Sequence, residues 1–165
     1  MEQNEVIGRR AEKVLFNDIF SSNQSEFVAI YGRRRVGKTF LVRETFSGRF
    51  SFEIAGLANA TTKEQLVNFS LTLKKTTGEE LKTPKSWLEA FSQLSDYLAK
   101  SEQKRKILFF DEMPWMDTPR SGFLTALEHF WNGWACSRSD ITTYYGNKTS
   151  VRDFGHTVGC ISVEK

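Results

Sequence analysis

Short apolar runs alternate with amphipathic segments along the chain, and the two patterns predict different elements. Runs of apolar and strand-forming residues cover 27–31, 50–54 and 107–110, and such runs are typical of strands buried on both faces. Elsewhere apolar residues recur at steps of three and four, which is the spacing of one helix face. These series are Val14, Leu15, Ile19 and Phe20; Leu66, Phe69 and Leu73; Trp87, Phe91, Leu94 and Leu98; and Phe123, Leu127, Phe130 and Trp134. A further short helix is predicted over 40–46.

The order of the predicted elements defines a fold class. It runs helix, strand, helix, strand, two helices, strand and helix along the chain. Strands that are separated by helices are joined by crossover connections, which produce parallel neighbours. We therefore predict an α/β fold in which a parallel sheet is covered by helices on both faces.

Composition narrows the class of protein further. The chain has 165 residues, which suits a single domain, and its 14 Phe and 4 Trp supply the bulk of a core. No apolar run approaches the roughly 20 residues of a membrane span, and the polar start of the chain lacks the apolar segment of a secretory signal. Cys136 and Cys160 form neither a disulfide framework nor a metal-binding pair. These features predict a cytoplasmic protein without a membrane partner.

Basic and aromatic residues give weak support to nucleic-acid binding. The net charge is only +3, whereas dedicated binders carry a pronounced basic surface. Arg33, Arg34 and Arg35 could contact phosphates or a DNA backbone, or point to solvent, and the sequence leaves these alternatives open. Trp131 and Trp134 share their spacing with a predicted helix face, which favours packing in the core over stacking on bases.

Residues 32–39 match the pattern G-x-x-x-x-G-K-[ST] at every fixed position. Glycines allow the backbone to wrap closely around phosphate oxygens with its amides pointing inward. Lys38 can reach the terminal phosphates as a positive charge, and the Thr39 hydroxyl can ligate Mg²⁺. The motif follows a predicted strand and opens a predicted helix, whose first amides and dipole face the same anion. The sequence therefore predicts a phosphate-binding loop, the Walker A motif.

A second candidate element is the predicted strand 107–110, which is followed by Asp111 and Glu112. Ligands of open α/β sheets bind at the carboxyl ends of the strands. An aspartate at this place can hold Mg²⁺, and the adjacent glutamate can orient and deprotonate an attacking water. We predict that the pair forms the Walker B motif. The predicted catalytic residues are then Glu112 and Lys38, and the predicted metal ligands are Thr39 and Asp111.

The loop at 32–39 resembles the arginine-rich phosphate loop of the archaeal-type prokaryotic AAA ATPases, which are relatives of the STAND and origin-recognition ATPases. The resemblance covers about residues 6–138 and includes the segments 7–12, 109–115 and 123–135. It implies a three-layer P-loop NTPase with a sheet of the additional-strand type, ATP rather than GTP, and Mg²⁺. The nucleotide-binding residues that it implies are Ile7, Gly8 and Arg9 beside the adenine, with Gly32, Arg33, Arg34, Arg35, Val36, Gly37, Lys38, Thr39 and Phe40.

After Arg138 the sequence departs from this family. The resemblance implies an aliphatic fourth strand between the Walker A and Walker B strands, ending in a small polar sensor residue, and then an arginine finger and a helical lid. Residues 141–147 favour a strand but are polar for a place buried on both faces. Residues 157–163 could form a further strand. We therefore expect an ATPase core over 1–138 and a divergent tail over 139–165. Two explanations of the tail stay open: a truncated gene product, which we favour and which leaves the sheet incomplete, or a short variant whose tail completes the sheet differently.

The leading hypothesis is a Mg²⁺-dependent, ATP-binding P-loop ATPase domain that hydrolyses ATP to ADP and phosphate. Two alternatives stay open: a nucleotide-binding module or remnant without catalysis, and a DNA-associated ATPase. Self-association or a missing C-terminal domain would supply further partners.

Overall fold

The computed structural model describes residues 10–31, 37–146 and 158–162 of the chain. Within these residues, five strands form one sheet in the order β2-β3-β4-β1-β5, and each neighbouring pair is parallel. The strands are β1 Glu26–Tyr31, β2 Phe50–Ala55, β3 Lys106–Asp111, β4 Ile141–Gly146 and β5 Val158–Ser162. This order places β4 between β1 and β3, as the additional-strand arrangement requires, and the predicted fold class is confirmed.

The helices lie where the periodicity predicts them. They are α1 Arg10–Phe20, α2 Lys38–Thr45, α3 Thr62–Thr77, α4 Trp87–Lys100, α5 Met113–Met116 and α6 Phe123–Gly133, and a 3-10 turn follows at Ala135–Ser137. The apolar pattern did not predict α5 or the 3-10 turn, because each is too short to show a period. Among the helices of the described residues, none is both long and apolar enough to cross a bilayer.

Two separate clusters of buried side chains cover the two faces of the sheet. On one face, α1 and α2 pack against the sheet through residues such as Phe16 and Val42. On the other face, α3, α4 and α6 form the larger cluster around Phe69, Phe91 and Phe130. Alternate residues of the fully buried strand β3 join opposite clusters, as expected for a parallel strand with helices on both faces. The structure therefore has three layers, with helices on each side of the sheet.

Helices α3 and α4 begin with the same local signal. The hydroxyls of Thr61 and Ser86 accept hydrogen bonds from the amides of Glu64 and Glu89, three residues further on. Such caps satisfy amides that have no partner within the helix and place an acidic residue in the first turn, where the helix dipole favours it. Helix α3 ends at Gly78, whose φ of 72° is the left-handed conformation common after a last helical turn.

Strand β4 is fully buried at the centre of the sheet, although its polar residues predicted a weak occupant. The Thr142 hydroxyl accepts a hydrogen bond from Nε of Arg105 at 2.7 Å. The ring of Tyr144 packs between Phe16 and Phe46, with centroid distances of 5.4 and 5.2 Å. Tyrosine thus fills the core with its ring, and threonine supplies a β-branched side chain that suits a strand.

Two of the five strands, β4 and β5, lie after residue 138, in the segment that was expected to diverge. They pair with β1 on its two sides, so the strand that leads to the Walker A loop has a parallel neighbour on each edge. Residues 141–146 and 158–162 therefore contribute to the sheet around the candidate site.

Candidate nucleotide-binding site

The two predicted motifs meet at the carboxyl edge of the sheet. Strand β1 leads towards the Walker A loop and β3 ends at Asp111, with β4 between them. The Thr39 hydroxyl donates a hydrogen bond of 2.7 Å to Oδ2 of Asp111, across a sequence separation of 72 residues. Asp111 is only 5% exposed, so its carboxylate is held at the base of the site.

Lys38 lies at the start of α2 and is 7% exposed. Gly37 precedes the helix in the left-handed conformation, with a φ of 79°, and no side chain caps the helix start. The first amides of such a helix lack partners within it and suit an anion. Burial lowers the pKa of Lys38 below its usual 10.5, while the carboxylates of Glu112 and then Asp111 oppose this shift. The lysine therefore lies within the electrostatic field of both predicted Walker B acids.

Glu112 takes an unusual backbone conformation directly after β3. Its φ is 52°, in the left-handed region that non-glycine residues rarely adopt, and it precedes α5. Its amide donates to Oδ1 of Asp111 at 2.9 Å, so each oxygen of that carboxylate accepts one hydrogen bond. The chain thus turns sharply at Glu112, and both acids stay at the same edge of the sheet.

Two glycines leave room for this arrangement. A side chain at Gly146, the last residue of β4, would place its Cβ 3.3 Å from Oδ1 of Asp111. At Gly56, directly after β2, a Cβ would lie 2.5 Å from the backbone oxygen of Glu112. Both positions bring backbone close to a predicted site acid, which only glycine permits without a shift.

The oxygen atoms at this edge fit a magnesium ion. Mg²⁺ prefers oxygen ligands and is commonly held by one or two carboxylates together with substrate phosphates. The Thr39 hydroxyl and the Asp111 carboxylate supply two such oxygens side by side. Within the described ranges, no group of three or more His, Cys, Asp or Glu could hold a metal ion by itself. Because Mg²⁺ takes more ligands than these two protein oxygens supply, the pair suits a cation that is shared with a phosphate ligand.

Several predicted site residues lie outside the described part of the chain. They are Ile7, Gly8 and Arg9, and Gly32, Arg33, Arg34, Arg35 and Val36 of the Walker A loop. Phe40 lies on α2 with its side chain 59% exposed. Trp131 is buried and Trp134 packs against the larger core cluster, so the packing predicted for this helix face is confirmed.

Sequence reasoning missed Gly56 and Gly146, because an isolated glycine does not reveal which distant backbone approaches it. It also missed Gln65, a buried amide beside the site. A signal for Gln65 was present, since it precedes Phe69 by four residues and so shares the core-facing side of α3.

The family of the chain follows from a comparison of sequences. A family model described as an AAA domain matches residues 22–143, which include both motifs and β4. The chain therefore belongs to this AAA domain family, and the predicted resemblance to AAA ATPases is confirmed. Its fold is that of nucleotide-binding P-loop ATPases. No curated protein matches the chain in sequence.

Three solved structures share the fold over most of the chain. A Walker-type ATPase of Pyrococcus abyssi has a TM-score of 0.65 over 98% of this chain, at 18% identity. Drosophila ORC bound to DNA has a TM-score of 0.62 over 96%, at 15% identity. The Aeropyrum pernix ORC2 protein, in ADPNP–ADP complexes, has a TM-score of 0.57 over 90%, at 18% identity. This chain spans 55%, 43% and 43% of these proteins, respectively.

Proposed function

We propose that the chain binds Mg²⁺-ATP at the carboxyl edge of its sheet and hydrolyses it to ADP and phosphate. One observation carries the proposal: the 2.7 Å hydrogen bond from the Thr39 hydroxyl to Asp111, which joins the last Walker A residue to the Walker B aspartate. The family membership of the chain and the position of Lys38 beside both acids support it.

Each residue of the site has a distinct role in this proposal. Thr39 and Asp111 would hold Mg²⁺, which supplies positive charge to the phosphate oxygens when bound. Lys38 and the first amides of α2 would bind the β- and γ-phosphates and stabilise the charge that develops on them. Hydrolysis forms a bond between a water oxygen and the γ-phosphorus and breaks the bond from that phosphorus to the β–γ bridging oxygen. The carboxylate of Glu112 would orient this water and accept its proton.

A second candidate function is nucleotide binding without turnover. Strand β4 ends at Gly146, which carries no polar side chain, next to Asp111. The family resemblance implies a polar sensor residue near this place, and Gly146 itself cannot serve as one, which supports a binding module. Thr143 lies within β4, and Asn147 lies outside the described residues. Association with DNA or with a second copy is not part of either candidate, because the likeness to the ORC proteins is one of fold.

Binding is tested by the stability of the chain with and without Mg²⁺-ATP. A ligand at 100 times its Kd adds about 2.7 kcal/mol, which for a domain of this size raises the Tm by roughly 5–11 °C. We expect this shift in the wild type and in a Lys74→Ala control, which changes an exposed lysine on α3. We expect no shift in Lys38→Ala. A folded wild type that Mg²⁺-ATP does not stabilise would contradict both candidate functions.

Hydrolysis is tested by phosphate release. Glu112→Gln keeps the size of the side chain but removes the proton acceptor, so we expect the Tm shift to persist while release falls by about 10²–10⁴-fold. Equal release near background in the wild type and the variant would leave the non-catalytic binding module as the function.

A further inference from the structure

Gln65 is a polar side chain on the core-facing side of α3, and it is only 1% exposed. A buried amide is costly unless its donors and acceptor are all hydrogen-bonded. The proposed reaction gives Gln65 no direct part, and its hydrogen bonds are with the backbone of Leu57 and Trp115. The hydrogen bonds of Gln65 therefore show which parts of the structure it connects.

The side-chain amide of Gln65 connects two backbone segments. Its Oε1 accepts a hydrogen bond of 3.0 Å from the amide of Leu57, and its Nε2 donates at 2.7 Å to the carbonyl of the same residue. Gln65 thus pairs with Leu57 in the connection between β2 and α3 as a neighbouring strand would. Nε2 also donates at 3.1 Å to the carbonyl of Trp115, in α5. With two amide hydrogens and two carbonyl partners, both donors are used.

The segment that Gln65 reaches is the turn that carries Glu112. Helix α5 follows Glu112 directly, and the amide of Trp115 donates to the Glu112 carbonyl at 3.1 Å. From the side of β2, the Gly56 amide donates to the carbonyl of Asp111 at 3.0 Å. The close approach of Gly56 to Glu112 leaves no room between them for a methyl group. The backbone of Glu112 is therefore held between the β2–α3 connection and α5.

The conformation of Glu112 makes such support necessary. A glutamate with a φ of 52° occupies a strained region of backbone space, and such residues persist only where the surrounding structure determines them. A general base also loses effectiveness when it is displaced by a fraction of an ångström from the water it orients. A side chain that fixes the turn from outside therefore matters both for the strained backbone of Glu112 and for the place of its carboxylate.

We propose that Gln65 is a positioning residue for Glu112: it ties the turn 112–116 to the β2–α3 connection and so fixes the place of the catalytic carboxylate. The inference deepens the proposed function and rests on it for the role of Glu112. Gln65 does not contact the nucleotide in this proposal, so it acts on turnover and not on affinity.

The test compares two substitutions on the same helix. Gln65→Met keeps the length of the side chain and removes all three hydrogen bonds. Asn68→Leu is the matched control, because Asn68 also donates a hydrogen bond from α3, at 3.0 Å to the Ala55 carbonyl, but this bond ends on β2 and not on α5. If Gln65→Met does not fold, Gln65→Asn replaces it, since a side chain one methylene shorter cannot reach both Leu57 and Trp115.

Two measurements are made on each variant. The first is the kcat of phosphate release together with the Kd for Mg²⁺-ATP. We expect kcat to fall at least tenfold in Gln65→Met with Kd changed less than threefold, and both to stay within about twofold of the wild type in Asn68→Leu. The second is hydrogen exchange of the Trp115 and Asp117 amides, which are bonded within the turn. We expect their exchange to accelerate at least tenfold in Gln65→Met alone, while amides of α6 are unchanged.

The outcomes separate this inference from the proposed function. If Gln65→Met leaves the exchange of the turn like that of Asn68→Leu, or leaves kcat unchanged in an active enzyme, the positioning role is wrong. A wild type that binds Mg²⁺-ATP without releasing phosphate contradicts hydrolysis alone, and the exchange of the two amides then decides whether Gln65 holds the turn. A loss of affinity equal to the loss of kcat would also overturn the inference.

Discussion

The two edges of the parallel sheet both carry charged residues, but they use them differently. At the amino edge, Lys106 begins β3 and is 3% exposed, and its ammonium group donates to Asp140 at 2.7 Å and to the Gln103 carbonyl at 2.9 Å. At the carboxyl edge, Lys38 is similarly buried and faces Glu112 and Asp111 next to the start of a helix. The first set forms a closed network, whereas the second lies beside a helix start that no side chain caps.

The amino-edge network satisfies its members from several directions. Asp140 accepts two further hydrogen bonds from Arg138, at 3.1 and 3.2 Å. Arg105 donates to Thr142 and to the carbonyl of Ser139, at 2.7 and 2.9 Å. Burial would raise the pKa of Asp140, but the hydrogen bonds and charges of Arg138 and Lys106 hold it below its usual 3.8. Removing one partner of such a pair leaves the other charge buried and uncompensated, so a substitution here is expected to change stability rather than function.

The largest expected effect on stability comes from breaking this closed network. Asp140→Asn leaves the ammonium group of Lys106 buried beside a neutral amide, and removing one partner of a buried pair costs about 3–5 kcal/mol. Asp111→Asn should change the free energy of unfolding by less than about 1 kcal/mol, because an amide can still accept from Glu112 and donate to Thr39. Urea denaturation of both variants measures the difference. A greater loss in Asp111→Asn would contradict the distinction between the two edges.

A moderate loss of stability is expected at Gly56, where the carboxyl edge is too closely packed for a side chain. Gly56→Ala places a methyl group 2.5 Å from the Glu112 carbonyl, a backbone atom that cannot rotate away. Overpacking of this kind costs about 1–3 kcal/mol, and it should also lower the rate of phosphate release. The control is Gly133→Ala, at the end of α6, where the nearest atom would be 3.9 Å away. The control should be neutral or slightly stabilising in urea denaturation, and equal losses at both sites would refute the steric argument.

These contrasts also explain how far the sequence could predict the structure. The strands and longer helices follow from local patterns. A strand buried on both faces requires a continuous apolar run, and a helix buried on one face requires apolar residues at steps of three and four. The Walker A and Walker B residues follow from spacing, because the chemistry of a phosphate site restricts the residue types. Both kinds of signal lie within a few neighbouring residues.

The features that the sequence did not predict depend on contacts between distant segments. Strand β4 was expected to be a weak strand because Thr142 and Tyr144 count as polar. In the fold, the rings of Phe16 and Phe46 pack against Tyr144, and the Arg105 guanidinium donates a hydrogen bond to Thr142. The spacing of Gln65 from Phe69 indicates that Gln65 is buried, but it does not reveal its hydrogen-bond partners, which lie in two other segments. The turn at Glu112 depends on the close approach of Gly56. A residue-by-residue pattern contains none of these partners.

A smaller loss of stability is expected at low pH, where Asp140 of the amino-edge network becomes protonated. Because the folded-state pKa of Asp140 is held below its usual 3.8, the carboxylate stabilises the fold above that value, and this stabilisation is lost as the pH falls through the lower, folded-state pKa. The free energy of unfolding of the wild type should therefore decrease below about pH 4, and that of Asp140→Asn should decrease less steeply. Urea titrations at pH 7, 4 and 3 test this. Parallel decreases in the two proteins would show that Asp140 does not titrate as the network requires.

The smallest change in stability is expected for an exposed ion pair that lies at neither edge of the sheet. Lys74 and Glu80 form a salt bridge near the end of α3, with side chains 48% and 80% exposed. Exposed pairs of this kind contribute about 0–1 kcal/mol, because water screens the charges and two long side chains lose freedom. We expect Lys74→Gln to change the free energy of unfolding by less than about 0.5 kcal/mol, and a double-mutant cycle with Glu80→Gln measures the coupling. A coupling energy as large as the loss of stability expected for Asp140→Asn would mean that an ion pair can stabilise this fold without burial. It would contradict the explanation given for the amino edge.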